Sequence, residues 1–245
     1  MGREADGWFF MRFSDPEPHL RLRLHGAPEA LLGGVLPRLR TALGPLLDAG
    51  RVHRLELGTY EREIERYGGD AGIGPCERIF GADSEAALRV VETLAGAREG
   101  RERWGATLYG VHRLLVDFGL SLEARARVAE AGRRAFYAEM GTADDGEHAI
   151  AARYREERAY VDALLEERDV PPALRTIFDD RSSALAPLVA ELHAAGRRLT
   201  LGLEGLLASL VHLSINRVMR ARPREHELVL YAFLARGYAS ALARR

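Results

Sequence analysis

The spacing of hydrophobic residues changes along this 245-residue chain, and the change separates a β-like part from a helical part. Residues 19–25 read HLRLRLH, an alternation of period two that places leucines on one face of a strand and basic residues on the other. Residues 8–13 are aromatic or favour strands, and the sequence DPEP at 15–18 predicts a turn between the two. The chain is therefore expected to open with a β-hairpin.

A helix is predicted at 28–47 and a third strand at 52–60, which gives the order β-β-α-β. Beyond residue 84 the pattern is almost wholly helical, over the segments 84–95, 101–118, 121–137, 147–167, 172–195, 199–220 and 224–242. We predict an α+β fold, with a small N-terminal β-β-α-β sheet portion (about 1–80) packed on a predominantly helical portion (about 81–245). A single domain of 1–245 is expected.

Helix beginnings are indicated at three places by capping residues: Asp83-Ser84, Ser121 and Pro171-Pro172. The segment 142–146 is the strongest loop prediction.

The charge balance excludes classes of protein that bind by a strong overall field. There are 35 basic and 36 acidic residues, a net charge of -1, so neither direct nucleic-acid binding nor attraction to an anionic membrane is expected. The single cysteine excludes a disulfide within the chain and a cysteine-rich zinc site. The first residues have no apolar signal core, and the apolar stretch 199–215 contains Glu204 and is too short to span a bilayer. A cytoplasmic protein is expected.

Three short segments contain side chains suited to chemistry, and the first is the predicted strand 19–25. His19, Arg21 and Arg23 share the face opposite its leucines. A guanidinium binds a carboxylate through two parallel hydrogen bonds and keeps its charge at neutral pH. The alternative is an amphipathic strand whose polar face meets water.

The second segment, 59–69, reads TYEREIERYGG. In a helical turn, Glu63, Arg66 and Tyr67 would lie together at i, i+3 and i+4. The alternative is a surface ion pair followed by a glycine cap. Gly68-Gly69 lacks the surroundings of a phosphate-binding loop.

The third segment, 210–217, reads LVHLSINR and lies in the apolar helix. His212 and Asn216 share one helical face, so the amide could hold the imidazole in one tautomer. The alternative is a hydrogen-bonded histidine of the core.

Together with WFFMRF at 8–13 and ERIF at 77–80 followed by Asp83-Ser84, these segments resemble the C-terminal glutamate-elimination domain of lantibiotic dehydratases and thiopeptide-biosynthesis proteins. The resemblance spans roughly the whole chain. None of the motifs is specific alone, but their order and separation are.

The resemblance implies a lyase that eliminates glutamate from glutamylated Ser or Thr of a precursor peptide, giving dehydroalanine or dehydrobutyrine. Matched motif to motif, the catalytic residues would be Arg21, Arg23, Glu63, Arg66 and His212, with substrate-binding residues His19, Tyr67, Asn216 and Arg217. Imidazole suits a general base near neutral pH, while the role of Glu63, as a base or as a group that orients an arginine, stays open.

No metal or cofactor is implied. The expected partners are a precursor peptide, with its leader and core, and a separate glutamyl-tRNA-dependent glutamylation protein; a homodimer is left open. Two other functions are compatible with the same motifs. One is a thiopeptide cyclase that joins two dehydroalanines in a formal [4+2] cycloaddition and releases the leader. The other is a non-catalytic module that binds the leader peptide at a sheet edge.

Overall fold

The computed structural model describes residues 4–95, 100–141 and 144–245. The chain divides into two compact units, Met1–Glu63 and Ile64–Arg245. The α+β class is confirmed, since a small antiparallel sheet comes first and helices follow.

The first unit opens with the predicted hairpin. Strands β1 (Gly7–Phe13) and β2 (His19–His25) pair antiparallel, with Phe9 opposite Arg23 and Met11 opposite Arg21. Helices α1 (Pro28–Ala30) and α2 (Leu36–Asp48) follow, joined by a π-helical turn at Leu31–Val35. The helix predicted at 28–47 is thus confirmed despite its glycines and prolines.

The prediction of a third strand at 52–60 is wrong, because residues 53–63 form neither helix nor strand. Leu55 and Leu57 are 47% and 73% exposed, so the alternating pattern buries neither leucine well. A strand is stabilised by side-chain packing and by pairing with a neighbour, and the apolar alternation alone supplies neither.

The second unit consists of seven α-helices within the described residues. They are α3 (Asp70–Thr93), α4 (Arg101–Asp117), α5 (Leu122–Met140), α6 (Asp144–Leu165), α7 (Pro172–Ala195), α8 (Leu203–Val218) and α9 (Pro223–Ala243). A helix is present in each segment predicted beyond residue 84, but α3 begins at Asp70 rather than at 84 and α8 begins at Leu203 rather than at 199. Helix α3 packs along α7 and α5 along α9, and the core between the helices includes Phe80, Tyr109, Leu114 and Phe233.

Two of the three predicted helix beginnings are confirmed. The Ala124 amide donates to Ser121 Oγ (3.2 Å) at the start of α5, and Pro172 occupies the first turn of α7. The cap predicted at Asp83-Ser84 is wrong, because both residues are buried within α3. Of the loop predicted at 142–146, residues 142–143 lie outside the described residues and α6 begins at Asp144.

Candidate active site

The basic residues of β2 lie on the more buried face of the hairpin. Their cross-strand partners are buried, with Phe9 6% and Met11 8% exposed, whereas Leu20 on the opposite face is 63% exposed. The alternation itself is as predicted. The alternative of a polar face turned to water does not hold, because it is the leucine face that is turned to solvent.

Arg21 and His19 form one hydrogen-bonded group. Arg21 Nε donates to His19 Nε2 (3.1 Å), and His19 Nδ1 contacts the Glu17 carbonyl oxygen (2.8 Å). Both contacts are satisfied if His19 carries its proton on Nδ1. The Arg21 guanidinium carbon lies 3.6 Å from the centre of the Phe13 ring, which is also stacked on His19. The position of this arginine is therefore set by its contacts with an aromatic ring and an imidazole.

Arg23 lies one pair further along the same face. Its guanidinium carbon is 5.1 Å from the centre of the Tyr60 ring, and Tyr60 in turn meets Phe9 edge to face. Burial, followed by the charge of Arg21, lowers the pKa of Arg23. Its buried Nε–H has no acceptor among the described residues. A guanidinium held beside an aromatic ring keeps its positive charge and is suited to an anion.

Glu63 and Arg66 do not share a helical turn, contrary to the prediction. The helical part is a 3-10 turn at Glu65–Tyr67, and Glu63 is an exposed residue at the end of the irregular segment in the first unit. Short helices are costly to nucleate, and this charged segment has little apolar surface to bury. Arg66 is exposed, with its guanidinium carbon 5.7 Å from the Tyr67 ring centre.

The turn that contains Arg66 is anchored to the segment before α8. Gly68 and Gly69 have φ of 86° and 73°, values that glycine adopts without strain. The Thr200 amide donates to the Gly68 carbonyl (3.2 Å), and a Cβ at Gly72 would lie 2.2 Å from the Tyr67 carbonyl oxygen. The Thr200 contact connects the Arg66 turn to the segment just before α8, the helix that contains His212, and the close approach of Gly72 connects the same turn to the start of α3.

Tyr67 and Arg217, both predicted to bind substrate, are buried in the second unit. Tyr67 is 3% and Arg217 1% exposed, and both contact the Phe80 ring. Arg217 donates to Asp83 (2.8 Å), and burial lowers the pKa of Arg217 despite this partner. Both side chains therefore belong to the core of the second unit.

Asp83, which the sequence predicted as a helix cap, has a role in the core that the sequence interpretation missed. It accepts hydrogen bonds from Arg217, from Arg181 (2.9 Å) and from Ser214 (3.0 Å), so it connects α3 to α7 and α8. The signal was present in the sequence, because Asp83 lies on the same helical face as the apolar positions 79, 80, 86, 87 and 90.

His212 is a partly exposed residue of α8 that contacts a buried carboxylate. Its Nδ1 lies 2.8 Å from Glu227 Oε2, and the side chains are 24% and 3% exposed respectively. Asn216 is buried, 7% exposed. Glu227 was also missed, because it belongs to the charged segment 223–227, which is typical of a solvated first turn.

Other features of the described residues do not suggest a different site. No group of three His, Cys, Asp or Glu side chains there is arranged to hold a metal ion, and no helix there is long and apolar enough to cross a membrane. Cys76 is buried, and burial raises the pKa of its thiol to about 12. Two cavities of about 660 and 260 Å³ lie against α5 and α9, and none of the predicted site residues lines them.

Comparison with known protein families gives a match across nearly the whole chain. The family described as Lantibiotic biosynthesis dehydratase C-term matches residues 1–238. The subtilin biosynthesis protein SpaB of Bacillus subtilis is 44% identical over 83 residues, 34% of this chain and 8% of SpaB. The nisin biosynthesis protein NisB of Lactococcus lactis subsp. lactis is 35% identical over 81 residues, 31% of this chain and 8% of NisB. The matched parts are thus a small fraction of these relatives.

Two solved structures are similar over nearly the whole chain. The tRNA-dependent lantibiotic dehydratase MibB from Microbispora sp. 107891 superposes with a TM-score of 0.76 at 26% identity, over 98% of this chain and 25% of MibB. TsrL superposes with a TM-score of 0.60 at 17% identity, over 98% of this chain and 86% of TsrL, a similarity of fold.

Proposed function

Because this chain belongs to the lantibiotic biosynthesis dehydratase C-terminal family, we propose that it is a lyase that removes glutamate from glutamylated Ser or Thr of a precursor peptide. The product is dehydroalanine or dehydrobutyrine. The observation that carries the proposal is the environment of His212, a partly exposed imidazole whose Nδ1 is bonded to a buried carboxylate. That arrangement suits a general base.

The reaction begins with removal of the Cα proton of the glutamylated residue. His212 accepts this proton, and the electron pair is delocalised onto the neighbouring amide oxygen as an enolate. The pair then forms the Cα–Cβ double bond while the Cβ–O bond breaks, and glutamate leaves through its carboxylate. The Cα proton is only weakly acidic, so the barrier depends on how well the enolate oxygen is stabilised.

Arginines supply the positive charge that this sequence of steps needs. We assign Arg23 and Arg66 to the enolate oxygen and the carboxylates of glutamate, since each presents a guanidinium beside an aromatic ring. Arg21 and His19 form a hydrogen-bonded pair that we assign to the same anionic substrate. Glu63, which is exposed, is assigned to orienting an arginine.

The remaining predicted residues are proposed to act from the core. Arg217 and Asn216 are buried on α8, the helix of His212, and Tyr67 follows Arg66 directly. We propose that they hold the reacting side chains in place, so that their contribution to substrate binding is indirect.

The proposal places the preceding reaction outside these 245 residues. MibB is named a tRNA-dependent dehydratase, and the present chain aligns with a quarter of it. We propose that a glutamyl-tRNA-dependent protein esterifies the precursor peptide before the elimination. The precursor, with its leader and core, is then the partner that this chain binds, in the cytoplasm.

The test compares two substrates by mass spectrometry. Incubated with a glutamylated precursor peptide, the protein should release glutamate and leave a dehydrated peptide. Incubated with a fully dehydrated peptide, it should cause no change; ring formation with loss of the leader would replace the proposal by a cyclase. Binding without any change in mass would indicate a leader-binding module.

A variant makes the same test specific to the site. Arg66→Ala should fold normally, because the side chain is exposed, yet leave glutamylated peptide to accumulate. Arg155→Ala, which removes an exposed arginine of α6, is the matched control and should eliminate at the wild-type rate. Equal rates for both variants would remove Arg66 from the mechanism.

A further inference from the structure

The contact between His212 and Glu227 joins two consecutive helices at the edge of the core. His212 lies on α8 and Glu227 in the first turns of α9. Their side chains meet at 2.8 Å, Nδ1 to Oε2, and the carboxylate is 3% exposed. A buried carboxylate needs a partner that donates a hydrogen bond, so Nδ1 of His212 is the protonated ring nitrogen at this contact.

Glu227 has a second charged neighbour, an arginine of the same helix. Arg224 lies one turn earlier on α9, with a guanidinium nitrogen 3.5 Å from Glu227 Oε2. Arg224 is in turn hydrogen bonded to Glu139 of α5 and lies over the Phe136 ring, 4.4 Å from its centre. Glu227 thus contacts the imidazole directly, Arg224 of α9 contacts Glu227, and Glu139 of α5 contacts Arg224 and lies near enough to His212 to interact with it electrostatically.

We propose that Glu227 is the positioning residue of the reaction, which accepts the Nδ1–H of His212 and thereby leaves Nε2 unprotonated. The inference rests on the proposed function, in which His212 removes the Cα proton. That proton moves to Nε2, the Nδ1 proton stays on the ring, and the imidazolium formed is stabilised by the ionised carboxylate.

The opposite assignment, with Glu227 as the base, disagrees with the geometry. The carboxylate is buried, and one of its oxygens already accepts from the imidazole and lies near Arg224. The imidazole is 24% exposed, so it is the member of the pair that a peptide can reach.

The first measurement determines which ring nitrogen of His212 carries the proton in the wild-type protein. In protein labelled with ¹⁵N-histidine, a long-range ¹H–¹⁵N spectrum at mildly alkaline pH distinguishes the two tautomers of each imidazole, and the His212→Gln spectrum identifies the signals of His212 among the eight histidines. The Nδ1–H tautomer is expected. A predominant Nε2–H tautomer would overturn the inference.

The second measurement compares two glutamates of the same helix. Glu227→Gln keeps the size of the side chain but can donate as well as accept, so a mixture of tautomers is expected. We expect kcat for elimination to fall about 10-fold or more with KM changed less than about 2-fold. Glu225→Gln, in an exposed pair with Arg222 (3.2 Å), is the control and should behave as wild type.

The outcomes separate this inference from the function on which it rests. If wild type eliminates glutamate and a folded Glu227→Gln is as fast as Glu225→Gln, the positioning role is overturned while elimination stands. If wild type releases no glutamate although His212 shows the Nδ1–H tautomer, the proposed function fails, and with it the role of Glu227 in that reaction. If Glu227→Gln does not fold, the wild-type tautomer alone decides.

Discussion

Arg23 combines two properties that a surface arginine does not have. It is partly desolvated, which lowers its pKa, and its buried Nε–H has no acceptor among the described residues. Arginine stays charged even so, because its ordinary pKa is far above neutrality. A partly desolvated cation gains more from a substrate carboxylate than a hydrated one does.

This reasoning predicts the effect of Arg23→Lys on elimination. Lysine keeps the charge but loses the planar fork that binds a carboxylate through two hydrogen bonds, so the rate on glutamylated peptide should fall about 10- to 100-fold, the equivalent of one charge-assisted hydrogen bond. The measurement is the rate of glutamate release, with circular dichroism to check the fold. Arg40→Lys, at an exposed position of α2, should change nothing. If the Arg23→Lys variant were as fast as this control, the role of the guanidinium would be contradicted.

The environment of His112 leads us to expect that the free energy of unfolding depends on pH. The side chain is buried beside the Tyr238 hydroxyl (3.0 Å), and desolvation, aided by Arg125 and Arg113, lowers its pKa to about 3. An unfolded histidine titrates near about 6.5. Between these values the unfolded state binds a proton that the folded state does not, so stability is lost as the pH falls below about 6.5.

The expected loss between pH 7.5 and pH 5 is about 2 kcal/mol, measured from urea unfolding curves. His112→Gln should remove most of this dependence, whereas His148→Gln, at an exposed position, should keep it. An unchanged pH dependence in the His112 variant would mean that other groups cause it.

At the scale of elements, hydrophobic periodicity was sufficient to predict that the helices exist but not where each helix begins and ends. Helix α3 extends back to Asp70 although Gly72, Gly74 and Pro75 oppose helix formation, because packing overrides local propensity. The prediction of a strand at 52–60 was wrong because a local alternating pattern does not supply the neighbouring strand with which it would pair. Glu227 could not be paired with His212 from sequence, because the crossing of α8 and α9 determines that contact.

A buried and an exposed ion pair each join α3 to α7, and we expect the buried pair, which contains Asp83, to contribute more to the free energy of unfolding than the exposed pair. The pair of Asp83 with Arg181 connects α3 to α7 in the core, while Arg89 and Asp180 connect them at the surface, where Asp180 is 61% exposed. Asp83→Asn leaves two buried guanidiniums without this countercharge, so it should lower the free energy of unfolding by about 3–5 kcal/mol. Asp180→Asn should lower it by less than about 1 kcal/mol. Urea unfolding measures both, and equal losses would show that burial of the Asp83 network adds no stability.

At the scale of the whole molecule, the two units differ greatly in buried apolar surface. In the first unit the buried hydrophobic side chains among the described residues are Phe9, Met11 and Val35, whereas the core of the second unit draws on all seven of its helices described above. A two-stranded sheet is marginally stable by itself, and regions with few buried contacts open at the lowest free energy.

The chain has two tryptophans, and each reports on one unit. Trp8 is stacked on Phe10 in the hairpin, and Trp104 lies between Tyr160 and Phe233 in the helical unit. Fluorescence of Trp104→Phe, which retains Trp8, should change at a lower urea concentration than fluorescence of Trp8→Phe, which retains Trp104. Far-UV circular dichroism should coincide with the fluorescence of Trp8→Phe, and in Trp104→Phe it should change at a higher urea concentration than the Trp8 fluorescence, because most of the helix belongs to the second unit. Coincident transitions of the two tryptophans would contradict separate unfolding, and would mean that the hairpin with Arg21 and Arg23 unfolds together with the helical unit that contains His212.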